Sequence, residues 1–360
     1  QLDNDAIVFG AEEYLREALA PYAAEPPPLL AIISSCAAGL IGDDIEAIAR
    51  GAGLSCPIAV LDSSGLAGSF ADGWDKAACA VLSAFLPEQH AGQANAVNLI
   101  GVTSAYYNGE NDADELMRLL ALAGYRVNAA LGCDMSAADL SGLTQAALNI
   151  VVHDELGGGA AHLLAETCGM PCIAPLPPYG RAGTRKWLAE IGRVLPAPRA
   201  DAAKEEITRV TREDFLRINE CKSLWGELRY ETALIRAPRS TAWGIAQALR
   251  TEWADVCHLA VAADAEGVPT AAPIADEILG ETDAVRIREL LNGLDGGLLI
   301  GSSNESAHIN PRTAAYFPAA YPVQDALHLS DAPFMGLRGA RHIEETLWNG
   351  SILRRKILLS

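Results

Sequence analysis

Residues 31–48 read A-I-I-S-S-C-A-A-G-L-I-G-D-D-I-E-A-I, and residues 57–74 read P-I-A-V-L-D-S-S-G-L-A-G-S-F-A-D-G-W. Two short apolar runs, residues 29–33 and 57–61, carry the pattern of buried parallel strands. Each gives way to a turn of small residues, and a helical pattern follows each turn. The first helix is expected to begin near Asp43 and Asp44, whose carboxylates accept bonds from first-turn N–H groups and favour the positive end of the helix dipole. This repetition sets Cys36 and the trio Ser63, Ser64 and Gly65 in turns at the carboxyl ends of neighbouring strands, where open α/β sheets bind ligands. A cysteine so placed has two readings, a small buried hydrophobe or a ligand.

The same alternation runs outward along the chain. An amphipathic helix over residues 12–19 and a proline-rich linker at 25–28 precede the first strand. Helices over 44–50 and 73–85 complete a first unit, which closes at the polar stretch 86–93. A second unit opens with a buried strand at 96–102 and a loop at 103–112. It continues through a helix at 113–123 with Gly124 placed as its C-terminal cap. Strand 127–131, helix 137–145, strand 148–152, helix 159–167, strand 171–174 and helix 184–191 follow. A charged helix over 204–222 leads to a third unit with strands near 232–235, 257–262 and 297–300. Helices near 241–249, 284–291 and 340–347 accompany them, and the basic, apolar end of the chain is expected to pack back on its own domain. Strand–helix alternation of this kind predicts parallel sheets with right-handed crossovers. The fold class is therefore α/β, three Rossmann-like units around a central cleft, divided as 1–93, 94–200 and 201–360.

Composition excludes several classes of partner. The chain has 360 residues, half of them hydrophobic, enough for more than one large core, and a formal charge of −19. That charge argues against nucleic acid and anionic membranes and suits a basic patch on a protein partner. No transmembrane run or signal peptide is legible. The chain opens on Gln1, so an upstream segment is expected. Its eight cysteines show no disulfide rhythm, which points to a reducing cytoplasm. Cys168 and Cys172 form C-G-M-P-C, one residue too long for C-x-x-C, and Cys172 is expected to point into the core.

The motif S-S-C-A-A-G-L-I-G-D-D-I, with G-S-x-x-x-G-W at residues 68–74 and D-N-D-A-I-V-F-G-A-E-E-Y-L at 3–15, resembles the nitrogenase component 1 family. That family includes nitrogenase subunits, cofactor-assembly scaffolds and dark-operative protochlorophyllide reductases. The late segment Y-P-V-Q-D-A-L-H-L at 321–329 and G-L-R-G-A at 336–340 resembles its β-type chains, and Gly301, Ser302 and Ser303 fit its G-x-S turn. The resemblance implies three Rossmann-like domains and an iron–sulfur cluster at a subunit interface, with Cys36 as a metal ligand. It also implies a second component 1 subunit, an ATP-dependent iron–sulfur reductase partner and a small-molecule substrate. Departures limit the transfer. The turn around Gly65 has no cysteine, and family cysteines upstream of residue 3 lie beyond this sequence. Asp154 stands where nitrogenase α chains have a cofactor-binding cysteine.

Beside the resemblance, the residues themselves offer further candidates. There is no P-loop. The run D-E-L-G-G-G-A-A at 154–161 lets a backbone approach an anion or makes a compact turn. His153 and Asp154 follow a buried strand, expected to face the cleft between the second and third units. They are candidates for proton transfer, with an Asp154 N-cap beside a structural histidine as the alternative. His308 and His328 are candidates for the same cleft. Tyr106, Tyr107, Asn108 and Glu110 suit the orientation of a small molecule. Asp43 and Glu46 read as solvated helix charges. The leading expectation is a nitrogenase-like reductase subunit in an oligomer. A non-enzymatic scaffold for metallocofactor assembly is the alternative, and a cluster-free small-molecule binding protein is the third.

Overall fold

The computed structural model describes residues 12–34, 36, 44–62, 68–85, 92–263, 274–280 and 282–359. Asp43, the Ser63, Ser64 and Gly65 turn and most of the opening motif lie outside the described residues. The chain groups into two compact units, one of residues 1–101 and 128–172, the other of residues 102–127 and 173–360. Among the described residues there are three sheets.

In the first unit, helix α1 (Glu12–Ala24) leads to strand β1 (Leu30–Ser34), helix α2 (Ile45–Gly51), strand β2 (Ile58–Asp62) and helix α3 (Phe70–Phe85). Strands β1 and β2 pair in parallel, Leu30 opposite Ile58 through Ser34 opposite Asp62. Asp44 caps α2 as expected, its Oδ1 accepting from Ala47 N at 2.9 Å. Strand β1 differs from the expected buried strand, since Ala31 and Ile33 are exposed while Ser34 is buried. In a two-stranded sheet each strand has a neighbour on one side only, and alternate side chains face the uncovered side.

The four-stranded sheet of the same unit comprises β3 (Gln93–Ile100), β4 (Arg126–Leu131), β5 (Ala146–Val151) and β6 (Cys172–Ile173), in the order β4-β3-β5-β6. Helices α4 (Gly109–Leu122), α5 (Ala137–Gly142) and α6 (Asp154–Cys168) alternate with these strands in sequence. Leu131, Leu143, Val151, Ala160 and Leu164 form its core with Leu82 of α3. A row of amides runs through this core. Asn98 Nδ2 donates to Asn149 Oδ1 and Leu143 O, each at 2.8 Å, and Asn128 Nδ2 donates to Asn98 Oδ1 at 3.0 Å. Buried amides are tolerated because they satisfy one another. Cys172, expected in the core, is exposed. It starts a two-residue edge strand, which leaves one side chain face uncovered.

The second unit contains α4, α7 (Gly180–Val194), α8 (Ala200–Trp225), β7 (Arg229–Arg236), α9 (Arg239–Ala248) and β8 (Asp255–Ala262). Strand β9 (Glu277–Leu279), helix α10 (Ala284–Asn292), strand β10 (Leu298–Gly301), helix α11 (Ser303–Ser306), strand β11 (Ala315–Pro318) and helix α12 (Gly336–Leu359) follow. Its sheet is parallel, ordered β11-β10-β7-β8-β9. Strands β9 and β11 are short and escape the periodicity of the sequence. The end of the chain packs back on its own unit, with Arg355 Nη2 donating to Glu227 O at 2.8 Å and Lys356 Nζ 5.5 Å from the Trp225 ring centroid.

Candidate functional site

Cys36 lies two residues beyond β1 and is exposed. Because β1 and β2 run parallel, both carboxyl ends share one edge, and the thiol stands just past it. Ile33, near the end of β1, is 64% exposed. The site therefore combines an accessible thiol with uncovered apolar surface.

His153 and Asp154 occupy a different edge. In the four-stranded sheet the chain departs from β3 to β4 on one side and returns to β5 on the other, so the carboxyl ends of β3 and β5 form a topological switch point. His153 follows β5 there. It is buried, and burial holds its imidazole down at about 4, against a smaller upward pull from Asp154. His153 rather than Asp154 occupies the N-cap position of α6, without a side-chain capping bond, and Asp154 is the helix's exposed first residue. The His153 carbonyl accepts from Leu156 N at 3.1 Å and Gly157 N at 3.0 Å.

The glycine run proves to be neither a turn nor an open anion cradle. It forms the first turns of α6 and allows close packing. A Cβ on Gly157 would lie 2.7 Å from Gly101 N, and one on Gly101, where φ is +74°, would lie 2.4 Å from His153 O. The anion at this helix belongs to the protein. Asp75 of α3 accepts from Gly159 N at 3.0 Å and Ala160 N at 3.1 Å, and a Cβ on Gly159 would displace it. Sequence reading did not single out Asp75, because its partners are backbone groups from a segment far along the chain.

In the second unit, the loop after β3 is anchored rather than open. Asn108 Nδ2 donates to Ala332 O at 2.9 Å, and Asn111 Nδ2 donates to Ser330 O at 3.2 Å. Tyr107 packs against His328 and Phe334, with ring centroids 6.3 and 5.8 Å apart. His342 stacks on Phe334 and lies 5.3 Å from His328, ring to ring, and burial followed by the His328 charge lowers its pKa. His308 is exposed just past α11. Ser302 of the G-x-S turn forms a capping box with Glu305.

Two buried ionic groups in this unit were not legible in the sequence. Asp112 accepts from Phe334 N at 2.6 Å and Met335 N at 2.7 Å, tying α4 to the start of α12. Burial raises its carboxyl to about 7 despite those two bonds. Arg181 meets three carboxylates, Glu344 at 2.6 Å, Asp214 at 2.9 Å and Glu252 at 3.3 Å. Burial also raises Glu344 to about 7, partly offset by Arg181.

An accessible thiol suits Cys36 as one ligand, but a multi-iron cluster takes several thiolates. Among the described residues, no group of three or more His, Cys, Asp and Glu side chains is spaced to hold a metal ion. The described residues therefore supply part of a ligand set and do not complete it. No helix among them is long and apolar enough to cross a membrane.

Comparison with known proteins places the whole chain. The family described as Nitrogenase component 1 type Oxidoreductase matches residues 1–350. The chain belongs to that family. It is 28% identical over 182 residues to the B-type subunit of light-independent protochlorophyllide reductase from Chloroflexus aurantiacus, covering 51% of this chain and 34% of that one. Against the Nostoc punctiforme counterpart it is 27% identical over 273 residues, covering 71% and 52%. The matches thus span between a third and about half of the length of these relatives. Nitrogenase Cp1 at pH 5 superposes with a TM-score of 0.73 at 20% identity, covering 97% of this chain and 76% of that one. Nitrogenase Cp1 at pH 6.5 gives 0.75 at 14% identity, covering 97% and 81%. These likenesses establish the α/β fold of nitrogenase component 1, as the sequence motifs anticipated.

Proposed function

We propose that this chain is a subunit of a nitrogenase-like reductase complex, accepting electrons from an ATP-dependent iron–sulfur reductase partner through an interface iron–sulfur cluster. The observation that carries this reading is the exposed Cys36 thiol past the carboxyl end of β1, in a chain matched by the component 1 family along nearly all its length. Exposed Ile33 beside it supports burial of this edge by a second component 1 subunit, identical or homologous. A bound cluster would supply one-electron transfer, and Cys36 would hold it as one thiolate among several. The remaining ligands belong to the second subunit or to parts of the protein outside the described residues.

On the proton side, His153 and Asp154 are the proposed catalytic pair. Asp154 is exposed at the first position of α6, while His153, buried with its pKa lowered to about 4, is a neutral imidazole at neutral pH. A small-molecule substrate and a reducing cytoplasm complete the proposal.

Cys36→Ala, prepared anaerobically with its partner subunit, tests the ligand role. It is expected to lose iron and visible absorption while the fold persists by circular dichroism. Unchanged iron content would remove Cys36 from the ligand set. Asp154→Asn is expected to lower substrate reduction on the order of 10²-fold with unchanged iron content. Full activity would remove Asp154 from the chemistry. Cluster transfer to an apoprotein without turnover would favour the assembly-scaffold alternative.

A further inference from the structure

We infer that the second unit carries a binding site for a compact multivalent oxyanion of the diphosphate class, at a cavity walled by α4, α8 and α12. The cavity has a volume of about 230 Å³, and four guanidinium groups line it, those of Arg118, Arg209, Arg338 and Arg341, against the single carboxylate of Glu206. In a chain with a formal charge of −19, the lining of this cavity is cationic.

The guanidinium groups are held in place from behind. Arg118 forks onto Glu115 at 2.6 and 2.7 Å, Arg209 reaches Glu213 at 2.6 Å, and Arg341 reaches Asp214 at 2.8 Å. Those three carboxylates do not line the cavity, whereas the arginines they orient do. Arg209 also forks onto Glu206 at 2.9 and 2.8 Å. The field of the cluster is felt by that one lining carboxyl, whose pKa is lowered by its bond to Arg209 and by the charges of Arg209, Arg118 and Arg341. Arg338 is different. Among the described residues its guanidinium meets only Glu115, at 3.6 Å, beyond hydrogen-bond distance, and Glu115 already bonds Arg118. Its donors therefore remain available at the cavity. Planar guanidinium forks matched to tetrahedral oxygens favour phosphate groups, and several such forks from three helices favour a multivalent one. An oriented, partly enclosed cluster also binds with less loss of side-chain entropy than mobile surface lysines.

The test is calorimetric titration of the full chain with sodium pyrophosphate in magnesium-free buffer, with chloride matched for ionic strength. Saturable binding is expected. Arg338→Gln should weaken it about tenfold or more, the effect of removing charge-assisted hydrogen bonds, and Arg338→Glu should abolish it. Arg338 is exposed and its guanidinium stays 3.6 Å from Glu115, so Arg338→Gln should keep the wild-type thermal midpoint, and it is the variant whose affinity decides the test. Arg286→Gln, on α10 beside Glu277 and Glu289, is the charge control and should bind normally. Equal affinities for pyrophosphate and ADP would assign the diphosphate as the recognised group. Binding of ADP alone, no saturable pyrophosphate binding, or equal losses in the Arg338 and Arg286 variants would overturn the assignment.

Discussion

Within the four-stranded sheet and at its carboxyl edge, the buried polar groups include amides, backbone carbonyls and one neutral imidazole, His153. Around Arg181 and Asp112 they are charged or titrating side chains that join helices. The two regions should therefore answer acid in opposite senses. The His153 imidazole is held at about 4 in the fold against 6.5 unperturbed, so the unfolded chain takes a proton first. Its contribution to stability falls as pH drops from about 6.5 to 4. Asp112 and Glu344 are raised to about 7, so the folded chain takes those protons first. Their contribution rises as pH falls from about 7 towards their ordinary carboxyl values. Neutral burial is thus stable at neutral pH and weakened by acid, whereas crowded carboxylates gain from it.

The largest expected effect that sharpens this contrast comes from Arg181→Ala. It leaves Asp214, Glu252 and Glu344 without their shared cation and should cost about 3–5 kcal/mol at pH 7.5. Urea unfolding at pH 5.5 should show a smaller loss, because Glu344 is then protonated. Equal losses at both pH values would break the comparison.

Gly101→Ala should be nearly as damaging for a different reason, about 3 kcal/mol or more from a Cβ against the His153 carbonyl in a left-handed backbone. Its cost should not vary between pH 7 and 8, since no buried carboxyl is involved. A loss that tracks the titration of Asp112 would contradict the separation of the two regions.

The pH response itself is checked by Asp112→Asn and His153→Gln. The Asn oxygen still accepts from Phe334 N and Met335 N, so the variant should fold while losing the stabilisation that wild type gains on acidification. Relative to wild type it should gain on the order of 1–3 kcal/mol between pH 5 and 7.5. His153→Gln should show the reverse difference between pH 6.5 and 4. Thermal midpoints measured across that range would reveal either sign. Asp154→Asn is the smallest perturbation, a loss of about 0.3–1 kcal/mol from the helix dipole. A larger loss of stability would mean that Asp154 supports the fold as well as the proposed proton transfer.

Much of this architecture was readable from local pattern. Apolar runs bounded by small residues marked β2, β3, β5 and β8, and Asp44 marked the start of α2, because strand burial and helix capping act over a few neighbouring residues. The motif around Cys36 disclosed the family for the same reason, as a contiguous run of residues. Strands β9 and β11, of three and four residues, were too short for their periodicity to register. The glycines of α6 looked like a turn because their partners, Gly101 and Asp75, lie 56 and 84 residues away from Gly157 and Gly159.

By itself, the sequence determined the α/β class and the family and offered Cys36 as a candidate ligand, all written in adjacent residues. Only the tertiary structure decided which charges are buried together. Arg181 and Glu344 are 163 residues apart, and Asp112 and Phe334 are 222 apart. An arginine or aspartate reads as a solvated helix charge until the chain folds. Its desolvation and its partners, which set pKa and energetic weight, exist only where distant helices meet.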